Sequence, residues 1–234
     1  MNAAADTVVK LVGVSRLYRQ GASVVHALQH INLEIRKGDF AVLVGPSGSG
    51  KTTLLNVLGG LDSPTEGHVW VDGSEIGTLG KAALSDIRLR KIGFVFQEFN
   101  LIPVLSALEN VEFVMLLQGV PEMQRRDRAM TLLKELGLEG MEHRRPQQLS
   151  GGQQQRVAVA RAIAAEPIIV LPDEPTANLD SKAGAALMDM MKAMNERRGV
   201  TFVFSTHDPM VVERARRVIR LRDGRIEADE RRPP

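Results

Sequence analysis

Ile31, Leu33 and Ile35 alternate with Asn32, Glu34 and Arg36 ahead of Lys37-Gly38-Asp39, the period-two pattern of a half-buried strand that ends in a turn. His68 to Val71 before Asp72-Gly73 repeats the pattern, and with Thr7–Val14 these segments predict an antiparallel layer near the N-terminus. Phe40–Val44, Ile168–Leu171 and Thr201–Ser205 are different. They are short and mostly apolar without alternation, and each adjoins a helical pattern, as expected of parallel strands covered on both faces. The predicted fold class is therefore α/β.

Between Phe99 and Gln148 the period changes to that of helices. Ala107 to Gln118 is one, and Met123 to Leu136 is a second, with Met130, Leu133 and Leu136 on one face. This stretch reads as an inserted helical lobe. Leu187, Met191 and Met194 mark a further helix facing the core. Near the end, Val218 to Leu221 and Ile226 flank Arg222-Asp223-Gly224-Arg225, where Asp-Gly is a strong two-residue hairpin signal. Only the tail Arg231–Pro234 reads as frayed.

The chain has 234 residues, 44% apolar and 25% charged, enough to bury a sizeable core and too apolar for general disorder. The expected organisation is one domain over 1–234, with an α/β core and β layer in 1–97 and 156–234 and a helical lobe in about 98–155. The formal net charge of +2 does not point to nucleic acid as a partner. Arginines 214, 216, 217, 220, 222 and 225 are interleaved with Glu213, Asp223, Glu227, Asp229 and Glu230, which reads as a solvated mixed-charge surface. With no cysteine there is neither a disulfide nor a thiolate metal site. Met1–Lys10 lacks a basic flank followed by an apolar stretch, so no signal peptide is expected, and the longest apolar runs are far short of a membrane span. A cytoplasmic chain is the expectation. His26 and His30 lie four apart on a predicted strand with no further ligands nearby, so no metal site is assigned to them.

Gly45-Pro46-Ser47-Gly48-Ser49-Gly50-Lys51-Thr52 follows an apolar strand and opens the predicted helix Thr52–Leu58, the context a phosphate-binding loop requires. Its glycines let successive backbone N–H groups converge on phosphate oxygens, and the helix N-terminus adds partial positive charge. Gly45, Ser47, Gly48, Ser49, Gly50, Lys51, Thr52 and Thr53 form the predicted nucleotide-binding set, with Lys51 on the β- and γ-phosphates and Thr52 offering a hydroxyl to Mg²⁺. The run Ile168–Leu171 delivers Asp173 and Glu174 at the strand end, where open α/β sheets bind ligands. Asp173 is expected to hold Mg²⁺ through water, and Glu174 to orient and polarise the attacking water. Leu149-Ser150-Gly151-Gly152-Gln153 precedes the predicted helix Gln154–Ala165. Ser150 with Gln153 fits a capping box, so by itself the segment need be only a helix start.

Taken together, these segments resemble the ATP-binding-cassette (ABC) ATPases over roughly Val8 to Asp229. Walker A matches Gly45–Thr52, Walker B ends at Asp173-Glu174, and the signature matches Leu149–Gln153. The strand-end glutamine matches Gln97 in Gly93-Phe94-Val95-Phe96-Gln97, the switch histidine His207, and the D-loop Asn178-Leu179-Asp180-Ser181. The resemblance implies a P-loop NTPase (RecA-like) core, ATP and Mg²⁺ as cofactors, and catalytic roles for Lys51, Gln97, Glu174 and His207. It makes Thr52, Gln97 and Asp173 the metal ligands, puts Tyr18 under the adenine, and has Ser150, Gly151, Gly152 and Gln153 close over the nucleotide of a second subunit. It further implies an ATP-driven dimer, here expected to be a homodimer, acting on separate membrane permease subunits that dock near Glu98–Asn110. The chain would then sit peripherally on the cytoplasmic face of the cell membrane.

Phe96–Pro103, Glu109-Asn110-Val111 and Gly60–Thr65 resemble the lipoprotein-release and macrolide-export branch. Polar amino-acid importers share some of these residues, and a cell-division regulator that moves no solute is a further alternative. A cassette acting on DNA or ribosomes would carry a coiled-coil insertion or a second cassette, and this sequence contains neither. One departure from the family pattern is Pro172, directly before Asp173. Lacking an N–H, it could shift both carboxylates, so hydrolysis is less secure an expectation than ATP binding.

Overall fold

The computed structural model describes residues 6–21 and 23–232. Strands β1 (Thr7–Gln20) and β2 (Ser23–Arg36) form a long hairpin. The phosphate-loop strand β3 (Phe40–Val44) and helix α1 (Lys51–Leu58) follow, then β4 (Glu66–Val71) and β5 (Ser74–Glu75). Helix α2 (Lys81–Lys91) leads into β6 (Ile92–Val95), and the chain then runs through α3 (Ala107–Leu117), α4 (Glu122–Glu135) and α5 (Gly151–Ala164). It closes with β7 (Ile169–Pro172), α6 (Ser181–Arg198), β8 (Phe202–Ser205), α7 (Pro209–Arg214), β9 (Arg217–Arg222) and β10 (Arg225–Arg231).

Two sheets result. The first is antiparallel, in the order β2-β1-β4-β5, the layer expected from the alternating segments. The second runs β10-β9-β3-β8-β7-β6; its five strands from β9 to β6 are parallel, and β10 closes the edge as an antiparallel hairpin. The absence of alternation in β3 has a direct cause, because its two faces enter two apolar cores. Phe40, Val42 and Val44 face the helices α3 to α7, whereas Ala41 and Leu43 face α1 and the antiparallel layer. Phe40, Phe202 and Phe204 interlock in the first core with ring centroids 4.8–5.7 Å apart. Phe40 packs edge-to-face on both of the others, which stack on each other, and such aromatic contacts add to the gain from burial itself.

Helices α3, α4 and α5 pack on one another, and α5 packs on β6. Helix α5 is continuous across the lobe boundary expected near 155, and Gly93 admits it closely, since a Cβ there would stand 2.5 Å from the Ala162 carbonyl. In α4 the buried positions are Ala129, Leu132 and Leu133, with Leu136 just beyond the helix end, whereas Met130 is 39% exposed. The expected apolar face was therefore rotated. At about 100° per residue, the i, i+3, i+4, i+7 stripe is centred on Ala129 and leaves Met130 on its margin. Leu187, Met191 and Met194 of α6 are buried as expected.

Two further expectations change at the C-terminus. Arg231 is the last residue of β10, paired in register with Arg217, and Arg232 N–H donates to the Arg216 carbonyl; Pro233 and Pro234 lie outside the described residues. The arginine-rich segment is not solvated throughout. Arg217 is buried and binds Asp39 at 2.7 Å and Asp229 at 2.6 Å, with Arg231 adding a second cation to Asp39. This network ties the C-terminal hairpin to the turn between β2 and β3. Among the described residues no helix is long and apolar enough to cross a membrane.

Candidate functional site

Four adjacent strands of the larger sheet, β3, β8, β7 and β6, end on one edge. Parallel order puts their C-terminal ends side by side, so residues far apart in sequence converge there. The loop Gly45–Gly50 leaves β3 and enters α1. Backbone crowds it closely: a Cβ on Gly45 would lie 2.1 Å from the Leu221 carbonyl oxygen, and one on Gly50 2.4 Å from that of Ala27. Only glycine permits this path. Lys51 is almost fully buried, and its ammonium reaches back across the loop to the carbonyls of Gly45 (2.8 Å) and Pro46 (3.0 Å). Ser49 is also buried, and its hydroxyl has no hydrogen-bond partner among the described residues. The α1 N-terminus has no side-chain cap, which leaves its N–H groups to a ligand.

Beside this loop stand the two carboxylates. The Thr52 hydroxyl donates to Asp173 Oδ1 at 3.3 Å, joining α1 to the end of β7. Burial pushes the Asp173 carboxyl above its ordinary range, and the Thr52 hydroxyl partly offsets this by hydrogen bonding. Glu174 is in the left-handed region with φ 46°, an uncommon conformation for a non-glycine residue that clusters at functional sites. Two bonds hold its side chain, from Thr206 Oγ1 to Oε2 (3.1 Å) and between His207 Nδ1 and Oε1 (2.8 Å). His207 is mostly exposed, so the imidazole forms the outer wall beside the carboxylate. Behind it Asp208 caps α7 and accepts from Thr176 Oγ1.

Both residues after Pro172 keep backbone hydrogen bonds to the neighbouring strands. The Asp173 N–H donates to the Val95 carbonyl (2.9 Å) and the Glu174 N–H to that of Ser205 (2.8 Å), so both residues are anchored, to β6 on one side and β8 on the other. Gln97 lies two residues beyond β6, and its carbonyl accepts from Asn178 Nδ2 at 2.9 Å, bringing the predicted D-loop to the predicted strand-end glutamine. Ser150 caps α5 with the full reciprocal box, its hydroxyl accepting from Gln153 N–H and its own N–H donating to Gln153 Oε1. Gly151 and Gly152 rest against Asn178, Leu179, Ala183 and Phe99. Ser150–Gln153 thus lies against the predicted D-loop, and among the described residues no hydrogen bond joins it to the phosphate loop.

Tyr18 sits on β1 and is half-buried. Its hydroxyl donates to Asp62 just beyond α1, and the Arg16 guanidinium lies 4.6 Å over its ring while pairing with the same carboxylate at 2.7 Å. Arg16 and Asp62 were not singled out by the sequence reading, nor were Thr206 and Arg161. Arg161, from α5, donates to the carbonyls of Phe99 and Asn100, both at positive φ, and so fixes the segment after Gln97. For Thr206 a signal was available, since three polar residues, Thr206-His207-Asp208, follow directly on the buried strand β8.

Known proteins resemble this chain along most of its length. The family profile described as ABC transporter matches residues 28–177. An uncharacterized ABC transporter ATP-binding protein of Thermotoga maritima is 48% identical over 225 residues, covering 96% of this chain and 96% of its own. The macrolide export ATP-binding/permease protein MacB of Syntrophobacter fumaroxidans is 46% identical over 223 residues; these cover 94% of this chain but 31% of MacB, so the chain spans about a third of that protein. A dimeric, post-hydrolysis structure of the ATP-binding cassette MJ0796 bound to ADP and Pi superposes with a TM-score of 0.88 at 47% identity, covering 97% of this chain and 99% of that one. The profile match runs from β2 to just past the two carboxylates and the full-length likenesses extend it through the C-terminal hairpin, so this chain belongs to the ABC transporter family, among its ATP-binding cassettes.

Proposed function

We propose that this protein is the ATP-hydrolysing subunit of an ABC transporter, which closes with a second copy around ATP and so drives a conformational change in separate membrane permease subunits. The observation that carries the reading is the placement of Glu174. Its carboxylate, held from two sides by Thr206 and His207, stands at the same sheet edge as the Lys51 loop and the Thr52–Asp173 pair. A carboxylate so oriented can accept a proton from water attacking the γ-phosphorus, while Lys51 and the loop N–H groups hold the departing phosphate charge. Thr52, Asp173 and Gln97 supply oxygen ligands of the kind Mg²⁺ prefers. When bound, the ion would neutralise charge between the β- and γ-phosphates. Among the described residues no group of three or more His, Cys, Asp or Glu could hold a metal.

Tyr18 offers a flat face for the adenine, and the N-terminus of α5, with Ser150, Gly151 and Gly152, offers N–H groups to the partner's nucleotide. ATP that binds the closed pair better than the open one shifts the equilibrium toward closure, and the difference in affinity is the work available to the permease. The permease docking surface includes Glu98–Asn110, beside a groove of about 360 Å³ lined by Leu61, Phe94, Phe96, Asn100 and Arg161. On this reading the chain sits on the cytoplasmic face of the membrane. The likeness to MacB favours an exporter or a lipoprotein-release type of system over an importer.

The test is Glu174→Gln. An amide of the same shape can still accept from Thr206, so the fold and ATP-dependent dimerisation are retained while steady-state hydrolysis falls by about 10²–10⁴-fold, the range for loss of a general base. Turnover at the unaltered rate would show that Glu174 is not the general base.

A further inference from the structure

The phosphate loop is braced from outside the motif that defines it. The turn between β9 and β10 contains Asp223 (φ 48°) and Gly224 (φ 75°), the backbone of a two-residue type I′ hairpin. Gly224 N–H donates to the Ser49 carbonyl in the middle of the phosphate loop, at 3.1 Å. The turn is itself held by β2: Gln29 N–H donates to the Gly224 carbonyl (2.8 Å), Gln29 Nε2 to the Asp223 carbonyl (2.9 Å), and Arg225 to Gln29 Oε1 (3.0 Å). The three segments meet at one carbonyl. A Cβ on Gly50 would lie 2.4 Å from the Ala27 oxygen, and one on Gly224 would lie 2.9 Å from the same oxygen.

We infer that the Asp223-Gly224 turn is a positioning element for nucleotide binding, in which Gly224 and Gln29 hold the Ser49–Gly50 backbone so that the loop's N–H groups converge on phosphate. This rests on the reading of Gly45–Thr52 as the phosphate site. The physical reason is that a loop of short residues has few side-chain contacts to fix it, so its shape is set by the backbone it packs against. Here that backbone is β2 and the last hairpin, roughly 175 residues further along the chain. Only a residue without a Cβ can sit at 224 and still let both approach.

The protein contains its own control. Asp72-Gly73, between β4 and β5, is also a two-residue Asp-Gly turn with nearly the same dihedrals, φ 50° and 75°, but a Cβ on Gly73 would meet nothing within 4 Å. Asparagine tolerates the left-handed region, so Gly73→Asn and Gly224→Asn carry similar turn strain and differ in what the new side chain meets. The experiment measures the affinities of the full chain for ATP and for inorganic tripolyphosphate by calorimetry, with melting temperature and the KM and kcat of hydrolysis alongside. Gly73→Asn is expected to leave both affinities within about twofold, as at ordinary surface sites. Gly224→Asn is expected to weaken ATP and tripolyphosphate by the same factor, about tenfold, the worth of one charge-assisted hydrogen bond. KM rises with little change in kcat.

Gln29→Ala, which introduces no clash, is expected to weaken both ligands in the same direction by a smaller factor, and it serves as the test if Gly224→Asn does not fold. Equal affinities for the Gly224 and Gly73 variants, or an unchanged Gln29→Ala, would overturn the inference. Lys51→Ala separates this from failure of the underlying reading. If Lys51→Ala weakens tripolyphosphate and the Gly224 variant does not, the brace alone is wrong; if Lys51→Ala leaves it unchanged, the phosphate site itself is wrong and the brace falls with it.

Discussion

Replacing Pro172 by alanine tests whether the residue next to the carboxylates sets their geometry. On its β8 side, β7 donates from Val170 N–H to the Thr201 carbonyl and, beyond the strand, from Glu174 N–H to Ser205, each at 2.8 Å. Parallel strands donate to a given neighbour at every second residue, so position 172 would donate to the Val203 carbonyl between them. Proline cannot, and the register between β7 and β8 is correspondingly interrupted, with Val170 opposite Phe202 and pairing resumed only at Asp173 opposite Ser205. Alanine restores the donor, which contributes about 0.5–1.5 kcal/mol. It also frees the unfolded chain, an opposing effect of about 0.4–1 kcal/mol. The two nearly cancel, so stability from urea denaturation should change by less than about 1 kcal/mol.

Hydrolysis should change by less than about threefold, well under the tenfold that corresponds to about 1.36 kcal/mol in the barrier. The reason is that the N–H groups of Asp173 and Glu174 are anchored outside the missing bond, to Val95 and Ser205. The assay is phosphate release at saturating ATP, read beside the denaturation curve. A tenfold or greater change in turnover at unaltered stability would refute the reasoning and make Pro172 a determinant of carboxylate position.

Two further predictions concern the C-terminal ion-pair network. Arg217→Met removes one partner of a buried pair and leaves Asp39, among the described residues, with the half-exposed Arg231 at 3.1 Å as its cation and the Arg36 N–H as a neutral donor, so a loss of about 3–5 kcal/mol is expected; a loss below about 1 kcal/mol in the same denaturation assay would show that the pair is not effectively buried. The Asp229 carboxyl is held below its ordinary range by hydrogen bonds from Arg217, with burial opposing and charge attraction to Arg217 and Arg231 adding to the effect. A depressed carboxyl stabilises the folded state above its unfolded value of about 4 and ceases to do so as pH falls through the lower folded value. Wild type should therefore be more stable than Asp229→Asn at neutral pH and converge with it below about pH 4, whereas a constant gap down to about pH 2 would contradict this linkage.

What the sequence determined by itself was whatever depends on neighbours along the chain. The residues of the phosphate-loop motif, the capping box of Ser150 with Gln153 and the Asp223-Gly224 hairpin are all legible within a few residues; for the cap and the hairpin, spacing and turn chemistry also decide the backbone locally, whereas the phosphate loop takes its shape against β2 and the last hairpin. The covered parallel strands were legible for a related reason, since burial on both faces removes alternation. The tertiary structure decided what depends on which distant segments meet. Glu174 finds its hydroxyl and imidazole 32 and 33 residues away, Tyr18 its carboxylate 44 away, and Arg217 its buried partner 178 away. Met130 lies on the margin of the stripe that Ala129, Leu132, Leu133 and Leu136 form, and it stays 39% exposed. A residue type and its spacing specify a conformation and a chemical capacity; strand order alone brings the partners together, and that order is a property of the packed sheet rather than of any segment within it.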